Sequence, residues 1–324
     1  MRRGDKALAT AVAVILTAGG HADEIERNLE REPGWITVGA GFEYSSGDYG
    51  SSLGDTNDWY VPFSVGYSYA NWRFKLKVPY IVSTGPGNVV SSGGERVVVD
   101  EVSGDCLRSS DELEGDDDGD DDETENESES DDCSVTTRTV VNTPGTQTAT
   151  RETVSGPGDV TFAVSYGFDP FAPGMPYVDV GAKIKFPTAD EDDGLGTGAY
   201  DYTLRVDLYE PIGKFALLGG VGYTFKGDIE PGDGDSTGLE LNDILLGSFG
   251  AEYRLTRVWL SGISVDYTQA SSEFSEDAWD LTGYLNWRSS DGLSLTGTLG
   301  TGFTNGSPEL VGGLSIIYGF YSPF

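Results

Sequence analysis

The sequence predicts an all-β fold, a 12-stranded antiparallel transmembrane β-barrel with long extracellular loops. Three observations predict it. Apolar and polar residues alternate through twelve segments of barrel-strand length, the connections between these segments are alternately short and long, and aromatic residues gather at segment ends. A period of two puts successive side chains on opposite faces of a strand, and a barrel with lipid outside and water inside requires that alternation.

The alternation begins after Pro33 and is clearest in the third segment, where Arg73, Lys75 and Lys77 alternate with apolar residues between Trp72 and Tyr80. A soluble sandwich would rarely bury so aromatic a stripe opposite three bases, whereas a barrel wall between lipid and water accommodates both faces. The predicted strands are 35–44, 59–69, 72–82, 159–168, 177–186, 200–209, 215–226, 241–253, 258–267, 278–288, 293–303 and 310–324.

The connections predict the orientation of the barrel. Short connections are 70–71, 169–176, 210–214, 255–257 and 289–292, and longer ones are 45–58, 83–158, 187–199, 227–240 and 268–277. Outer-membrane barrels have short periplasmic turns and longer outside loops. With the N-terminus in the periplasm, twelve strands place every long connection outside, together with one short loop at 304–308.

Aromatic residues mark the ends of the predicted strands. All six tryptophans avoid strand centres, and tyrosines accompany them. Interfacial girdles need this placement, because the ring is apolar and its N–H or O–H group requires water. The residues concerned are Trp35, Trp59, Tyr60, Trp72, Tyr177, Trp259, Trp279, Trp287 and Tyr318.

The first 22 residues predict a secretory signal peptide. Arg2, Arg3 and Lys6 precede a short apolar run, which is too short for a membrane span and ends on small residues before Asp23. Residues 23–34 are charged and predict a short periplasmic arm, and the barrel then occupies 35–324. No later segment approaches 18 uninterrupted apolar residues, so no transmembrane helix is predicted.

The last predicted strand points to a membrane and to an assembly partner. Its apolar residues recur at every second position from Leu310 to Phe320, and the same parity ends on Phe324. An alternating, aromatic-rich final strand closed by a C-terminal Phe resembles the signal by which the barrel-assembly machinery recognises outer-membrane barrels. The resemblance implies the cell outer membrane of a Gram-negative bacterium, with outer-membrane lipid around the barrel.

Composition excludes several functions. The only histidine, His21, falls within the predicted signal peptide, which argues against Ser-His hydrolases, Asp-His proteases and His-ligated metal centres. An enzyme without histidine would need a Ser-Lys or carboxylate pair, and no local spacing singles one out, so no catalysis is expected. The formal charge of −34 makes nucleic acid and anionic surfaces poor partners.

Inward-facing charges predict the lining of the lumen. Arg73, Lys75 and Lys77 share one parity on the third strand, as do Lys183 and Lys185 on the fifth. This basic strip could guide anionic or polarisable solutes through a polar channel; alternatively, ion pairs could fill the lumen, since twelve strands lie between filled and open barrels. Arg205, Lys226 and Arg288 extend the basic set, and the acids of matching parity are Glu43, Asp179, Asp201, Asp207, Glu252, Asp266 and Asp280.

An acidic insertion at about 91–157 interrupts the pattern. Residues 100–133 hold 18 acidic residues and one arginine, and Cys106 and Cys133 bracket that run. In an exported protein such a pair predicts a disulfide. The spacing of Glu114, Asp116, Asp118 and Glu125 around Gly119 matches an EF-hand Ca²⁺ loop, but no helices flank it, so a solvated, cation-condensing loop is the favoured interpretation.

Two segments carry a family resemblance. Residues 72–80 (WRFKLKVPY), which lead into 85–90 (GPGNVV), and residues 156–160 (GPGDV) resemble bacterial outer-membrane barrels grouped under the MetA pathway of phenol degradation. These barrels are related in architecture to fatty-acid channels. The resemblance implies passive passage of a small apolar or aromatic solute. The alternative is a closed structural or surface-interaction barrel, whose acidic loop binds cations or a partner.

Overall fold

The computed structural model describes residues 34–49, 54–87, 89–92, 95–98, 152–172, 174–191, 193–228 and 241–321. These residues form fifteen strands, and none of them belongs to a helix long and apolar enough to span a membrane. The strands are β1 (Trp35–Gly47), β2 (Thr56–Tyr69), β3 (Trp72–Gly85), β4 (Val89–Ser92), β5 (Glu95–Val98), β6 (Glu152–Pro157), β7 (Val160–Phe168), β8 (Tyr177–Phe186), β9 (Asp201–Ile212), β10 (Phe215–Phe225), β11 (Ile244–Arg254), β12 (Trp259–Thr268), β13 (Ala278–Arg288), β14 (Leu293–Gly302) and β15 (Leu310–Tyr321).

The strands close into a barrel of twelve staves. Each stave pairs antiparallel with its neighbours along the chain, and β1 pairs with β15 over twelve residues, from Trp35 opposite Tyr321 to Ser46 opposite Leu310. β6 and β7 together form the fourth stave, since both pair with β3. Closure leaves no free sheet edge in the wall. The predicted 12-stranded antiparallel barrel is confirmed.

The outer face of the wall is apolar. Side chains at alternate positions are exposed despite being large and hydrophobic, and Leu314, Leu299 and Phe249 reach 67%, 65% and 64% exposure. The intervening positions carry small or polar residues, many of which are buried inside the barrel, such as Ser294, Thr296 and Glu252. Apolar outside and polar inside is the arrangement of an outer-membrane barrel.

The fourth stave differs from the prediction. It begins at Glu152 in β6, not at Asp159, and it is interrupted between Pro157 and Val160. The predicted connection 83–158 is therefore too long, because β3 runs to Gly85 and β6 begins at Glu152. Pro157 lacks an N–H group for the ladder, and the Gly158 N–H instead donates to the Pro79 carbonyl at 2.9 Å. The interruption turns Asp159 into the lumen, where it is 1% exposed.

The two ends of the barrel differ in their connections. We call the end with the long connections the loop end and the other the turn end. At the loop end, β4 and β5 form a separate two-stranded hairpin within the predicted 91–157 insertion. The predicted signal peptide, residues 23–33 of the predicted arm and Phe324 lie outside the described residues.

Candidate functional site: the barrel lumen and its mouth

The structure places the predicted lining residues on the inner face of neighbouring staves. Arg73, Lys75 and Lys77 alternate along β3 with side chains of the outer face. Lys75 and Lys183 lie in one hydrogen-bonded row, separated by Ala163 of β7. Lys77 lies one row further towards the loop end and places its Nζ 5.4 Å from the centre of the Tyr60 ring.

Several of the predicted cations form ion pairs along the wall, among them Arg73, Arg205, Lys185 and Lys226. Arg73 reaches across Gly167 to Asp179 on β8, and both side chains are about 90% buried. Arg205 donates from Nε to Asp207 at 2.7 Å and from Nη2 to Ser248 at 2.9 Å. These contacts neutralise charge inside the barrel, so on this side of the wall the ion-paired interpretation of the lumen fits better than a strip of unpaired bases.

Another paired cation, Lys185, is the centre of a buried cluster at the loop end. Its Nζ lies 3.1 Å from Asp201 and 3.4 Å from Asp159, and it donates to the Thr197 hydroxyl at 2.6 Å. Lys226 also reaches Asp201, at 3.4 Å. Two ammonium groups thus compensate two carboxylates, which is the condition for keeping such charges out of water.

This cluster fixes the connection between β8 and β9 inside the mouth. Asp159 Oδ1 accepts from the backbone N–H groups of Thr188 and Ala189, both at 3.1 Å. Its other oxygen faces Lys185 at 3.4 Å, an ion-pair contact without hydrogen-bond geometry. Leu195 then packs on Tyr60 and Ile81 of the inner wall and is 1% exposed. We call residues 187–200 the inward loop.

The hairpin β4–β5 crosses the mouth to the opposite side of the barrel. The Ser272 hydroxyl donates to the Val98 carbonyl at 2.6 Å, and the Val98 N–H donates to the Ser275 hydroxyl at 3.2 Å. Val89 and Val98 pack with Tyr49 and against Phe274. The hairpin follows the third stave, whereas Ser272 connects the ninth and tenth, so this contact spans the loop-end opening.

The hairpin and the inward loop pack closely against the adjacent wall. A cavity of about 20 Å³ lies there, lined by residues that include Thr56, Val89, Val154 and Gly194. Such a volume holds about one water molecule. The Ser91 N–H donates to the Gly194 carbonyl at 3.3 Å, which joins the hairpin to the inward loop.

An aromatic cluster narrows the lumen at the turn end. Tyr209, Ala216, Leu218 and Tyr284 project inward from β9, β10 and β13 and are between 2% and 7% exposed. The Tyr284 hydroxyl donates to Glu252, which is itself 2% exposed. The lumen is therefore apolar and aromatic towards the turn end, polar at mid-height, and both charged and apolar at the loop end.

Other predicted sites lie outside the described residues. These are the predicted disulfide of Cys106 with Cys133 and the Ca²⁺ loop of Glu114, Asp116, Asp118 and Glu125. Among the described residues, no group of three or more His, Cys, Asp or Glu side chains could hold a metal ion.

Sequence reasoning missed the residues that close the mouth. The sequence predicts a strand that begins at Asp159. Leu195, Ser272 and Ser275 lie in predicted connections without a recognisable motif. The isolated Leu195 within a Gly- and Asp-rich connection was the one available signal, because an apolar residue in such a segment must find a buried contact.

The family model "Putative MetA-pathway of phenol degradation" matches residues 132–320, which is more than half of the chain. The chain belongs to this family. The match covers the fourth to the twelfth stave, and the first three staves join them in the same closed sheet. Among curated protein sequences, none matches this chain.

Solved structures show which fold this family member shares. An outer membrane channel from Pseudomonas putida F1 is similar with a TM-score of 0.60 and 11% identity, over 90% of this chain and 96% of that one. The KdgM porin gives a TM-score of 0.46 at 7% identity over 88% and 99%. The Ralstonia pickettii toluene transporter TbuX gives 0.40 at 11% identity over 91% of each. The first likeness establishes the fold, that of Gram-negative outer-membrane barrels, as predicted.

Proposed function

We propose that this protein is a channel for the passive passage of small apolar or aromatic solutes across the outer membrane. The observation that carries the proposal is a closed wall whose lumen presents aromatic and apolar side chains at both ends, around Tyr60 and Leu195 at the loop end and around Tyr209 and Tyr284 at the turn end. Aromatic side chains offer a flat apolar surface to an aromatic solute.

The size and chemistry of the solute follow from the same contacts. The hairpin and the inward loop occupy part of the mouth, which favours a small solute. Membership of a family described by phenol degradation supports an aromatic solute. The structural neighbour from Pseudomonas putida F1 is an outer membrane channel, which fits passage without an energy source.

The test is uptake by cells with a lipopolysaccharide-containing outer membrane and few porins of their own. Phospholipid vesicles are unsuitable, because phenol and toluene cross them unaided. Expression of this protein should raise the rate of phenol or toluene uptake several-fold and leave the uptake of a disaccharide unchanged. Equal rates with and without the protein would contradict the proposal.

A conductance measurement separates an open from a closed barrel. The refolded chain without its signal peptide is inserted in a planar bilayer, with and without residues 100–133. Steady conductance establishes a pore, and an increase after removal of the segment makes that segment a cap. Replacing Lys75 and Lys77 by Glu should then invert the ion selectivity, and unchanged selectivity would remove both lysines from the pathway.

The second candidate is a closed barrel that acts at the cell surface. The hairpin across the mouth and the buried ion pairs favour it. A closed barrel should show no conductance in the bilayer, either with or without residues 100–133. Removal of that segment should then alter surface binding alone.

A further inference from the structure

Four aspartates follow one another along a single hydrogen-bonded row of the inner wall. Asp179 lies opposite Asp207, and Asp266 lies opposite Asp280. Gly220 and Ser248 occupy the two positions between these pairs. The row climbs from the turn-end half of β8 to the loop end of β13. We call it the aspartate row.

Only part of this row is neutralised by the described residues. Arg73 binds Asp179, and Arg205 binds Asp207 and then reaches Ser248. Four carboxylates therefore face two guanidinium groups. No lysine or arginine of the described chain forms an ion pair with Asp266 or Asp280, although Arg205 lies close enough to attract Asp266.

Asp266 and Asp280 each retain an acceptor without a donor. Asp266 is 7% exposed; its Oδ2 accepts from the Ser264 hydroxyl at 2.9 Å, and its Oδ1 is buried with no hydrogen-bond partner among the described residues. Asp280 Oδ1 is in the same condition, and Ser307 lies within hydrogen-bonding reach of this carboxyl group. Directly opposed residues of adjacent strands have Cβ atoms about 5 Å apart. Two carboxyl groups, each with an oxygen that accepts no hydrogen bond among the described residues, thus extend from directly opposed positions of the ladder.

Two carboxyl groups at opposed positions of the inner wall take up a proton or bind a positive partner, since an uncompensated buried charge is costly. The number and type of ligand groups available indicate the charge of a cationic partner. Ca²⁺ takes six to eight oxygen ligands, commonly several carboxylates, and the described residues offer no group of three acidic or other metal-ligating side chains here. Two carboxylates with neighbouring serine hydroxyls suit a compact, singly charged cation.

We propose that Asp266 and Asp280 form a lumen site for a singly charged cation, either an alkali metal ion or a primary ammonium group. Asp266 and Asp280 supply the charge, and the hydroxyl of Ser264 holds the Asp266 carboxyl group in place. The cation offsets one of the two carboxylate charges that the guanidinium groups of the aspartate row leave uncompensated. The site is independent of which solute crosses the barrel, because it concerns binding at the wall and not passage.

The test is calorimetric titration of the full-length, folded protein in detergent with rubidium chloride, against a background of choline chloride at constant ionic strength. Choline is a quaternary ammonium ion and has no N–H group to donate to a carboxylate. Wild type should bind about one Rb⁺ per chain. The D266N/D280N variant should weaken binding at least tenfold, and D291N, an exposed aspartate at the turn end, should leave it unchanged.

A second arm distinguishes the two cation sources. Methylammonium is titrated in the same way and then used to displace Rb⁺. Displacement at lower concentration than Rb⁺ requires assigns the site to an ammonium group, and weaker binding assigns it to an alkali ion; either result supports the proposal. The heat-modifiable electrophoretic band verifies that each variant is folded, and D280N alone serves if the double variant is not.

Two results would overturn the proposal. One is the absence of saturable Rb⁺ and methylammonium binding to wild type. The other is binding that persists in folded D266N/D280N, which would place the cation elsewhere. Neither depends on conductance or uptake, so failure of this site and failure of the proposed channel are separate outcomes.

Discussion

The side chain of Lys185 is 2% exposed, so the protein must replace the water that would otherwise surround its ammonium group. Two carboxylates and a hydroxyl do so. The strand pattern predicts that this lysine lies inside the barrel, and the structure shows its contacts there. By binding Asp159 and Thr197, it joins the interruption of the fourth stave to the inward loop. At the scale of single residues, the charges of this lumen therefore act largely on the conformation of the mouth.

Replacement of Lys185 by Met should destabilise the folded barrel. Asp159 would then lose its ion pair, while Asp201 would retain Lys226, and breaking a buried pair from one side costs about 3–5 kcal/mol. Equilibrium unfolding in guanidinium with lipid vesicles measures the change. Lys214→Met, in an exposed turn, is the control and should unfold like wild type. Identical midpoints for both variants would mean that the cluster contributes little.

Position 262 has room only for glycine, because the ring of Tyr284 covers it. Tyr284 lies opposite Gly262 across β12 and β13, and a Cβ atom there would overlap the ring. Gly262→Ala should displace Tyr284 from Glu252 and lower stability by about 1–3 kcal/mol, because an overpacked side chain must leave its rotamer. Gly283→Ala is the matched control, since its Cβ would meet nothing nearer than 3.9 Å. The same unfolding titration compares the two, and equal stabilities would contradict this role.

At the scale of elements, alternation and connection length predicted eleven staves to within about three residues, because both follow from the solvent on each side of the wall. Pairing of neighbours along the chain then fixes which staves touch. The fourth stave, the hairpin β4–β5 and the inward loop could not be predicted in this way. Their positions depend on contacts such as Val98 with Ser272 and Leu195 with Tyr60, which join segments far apart in sequence.

In the lumen, too, the sequence predicts the face on which a residue lies but not the residues that it contacts. Parity placed Arg73, Asp179, Arg205 and Asp207 on the inner face, but their pairing depends on register, which no single strand reveals. The adjacency of Asp266 and Asp280 depends on it as well.

The hairpin should detach when its two serine contacts are removed. In S272A/S275A the Val98 N–H and C=O groups lose their partners, and each lost hydrogen bond weakens docking by about 1 kcal/mol. Hydrogen–deuterium exchange should become at least tenfold faster for amides in 89–98 and stay unchanged in β13. S289A/S290A, at the turn end, is the control. Unchanged exchange in the hairpin would show that the Tyr49, Val89 and Phe274 contacts suffice.

At the scale of the whole molecule, the first and last staves must meet for the barrel to exist. Twelve residue pairs join β1 to β15, and the indole of Trp35 lies over Gly319 at the turn end of this seam. Trp35 is 3% exposed and also packs edge-on against the Tyr321 ring, 5.1 Å between centres. One aromatic residue of the first stave thus contacts the end of the last.

Gly319→Val should impair closure of the barrel. A Cβ atom at this position would lie 2.5 Å from the Trp35 ring, and a branched side chain enlarges the overlap. The expected result is a smaller fraction of the heat-modifiable folded form after refolding in vesicles. Gly312→Val, on the outer face, where a Cβ would meet nothing nearer than 3.9 Å, serves for comparison. Equal folded fractions would exclude a role for this contact in closure.

The pairing of β6 with the loop end of β3 has a further consequence for how this chain can change. Glu152 lies directly opposite Gly85, so the polypeptide leaves the wall and returns to it at adjacent points. Beyond the docked hairpin β4–β5, the sequence between these two points can change in length at the cost of only a slowly growing entropy of loop closure. A foreign sequence could be inserted there for display on a cell surface. Natural variation can likewise change the outer loops of the protein while its twelve staves stay in register.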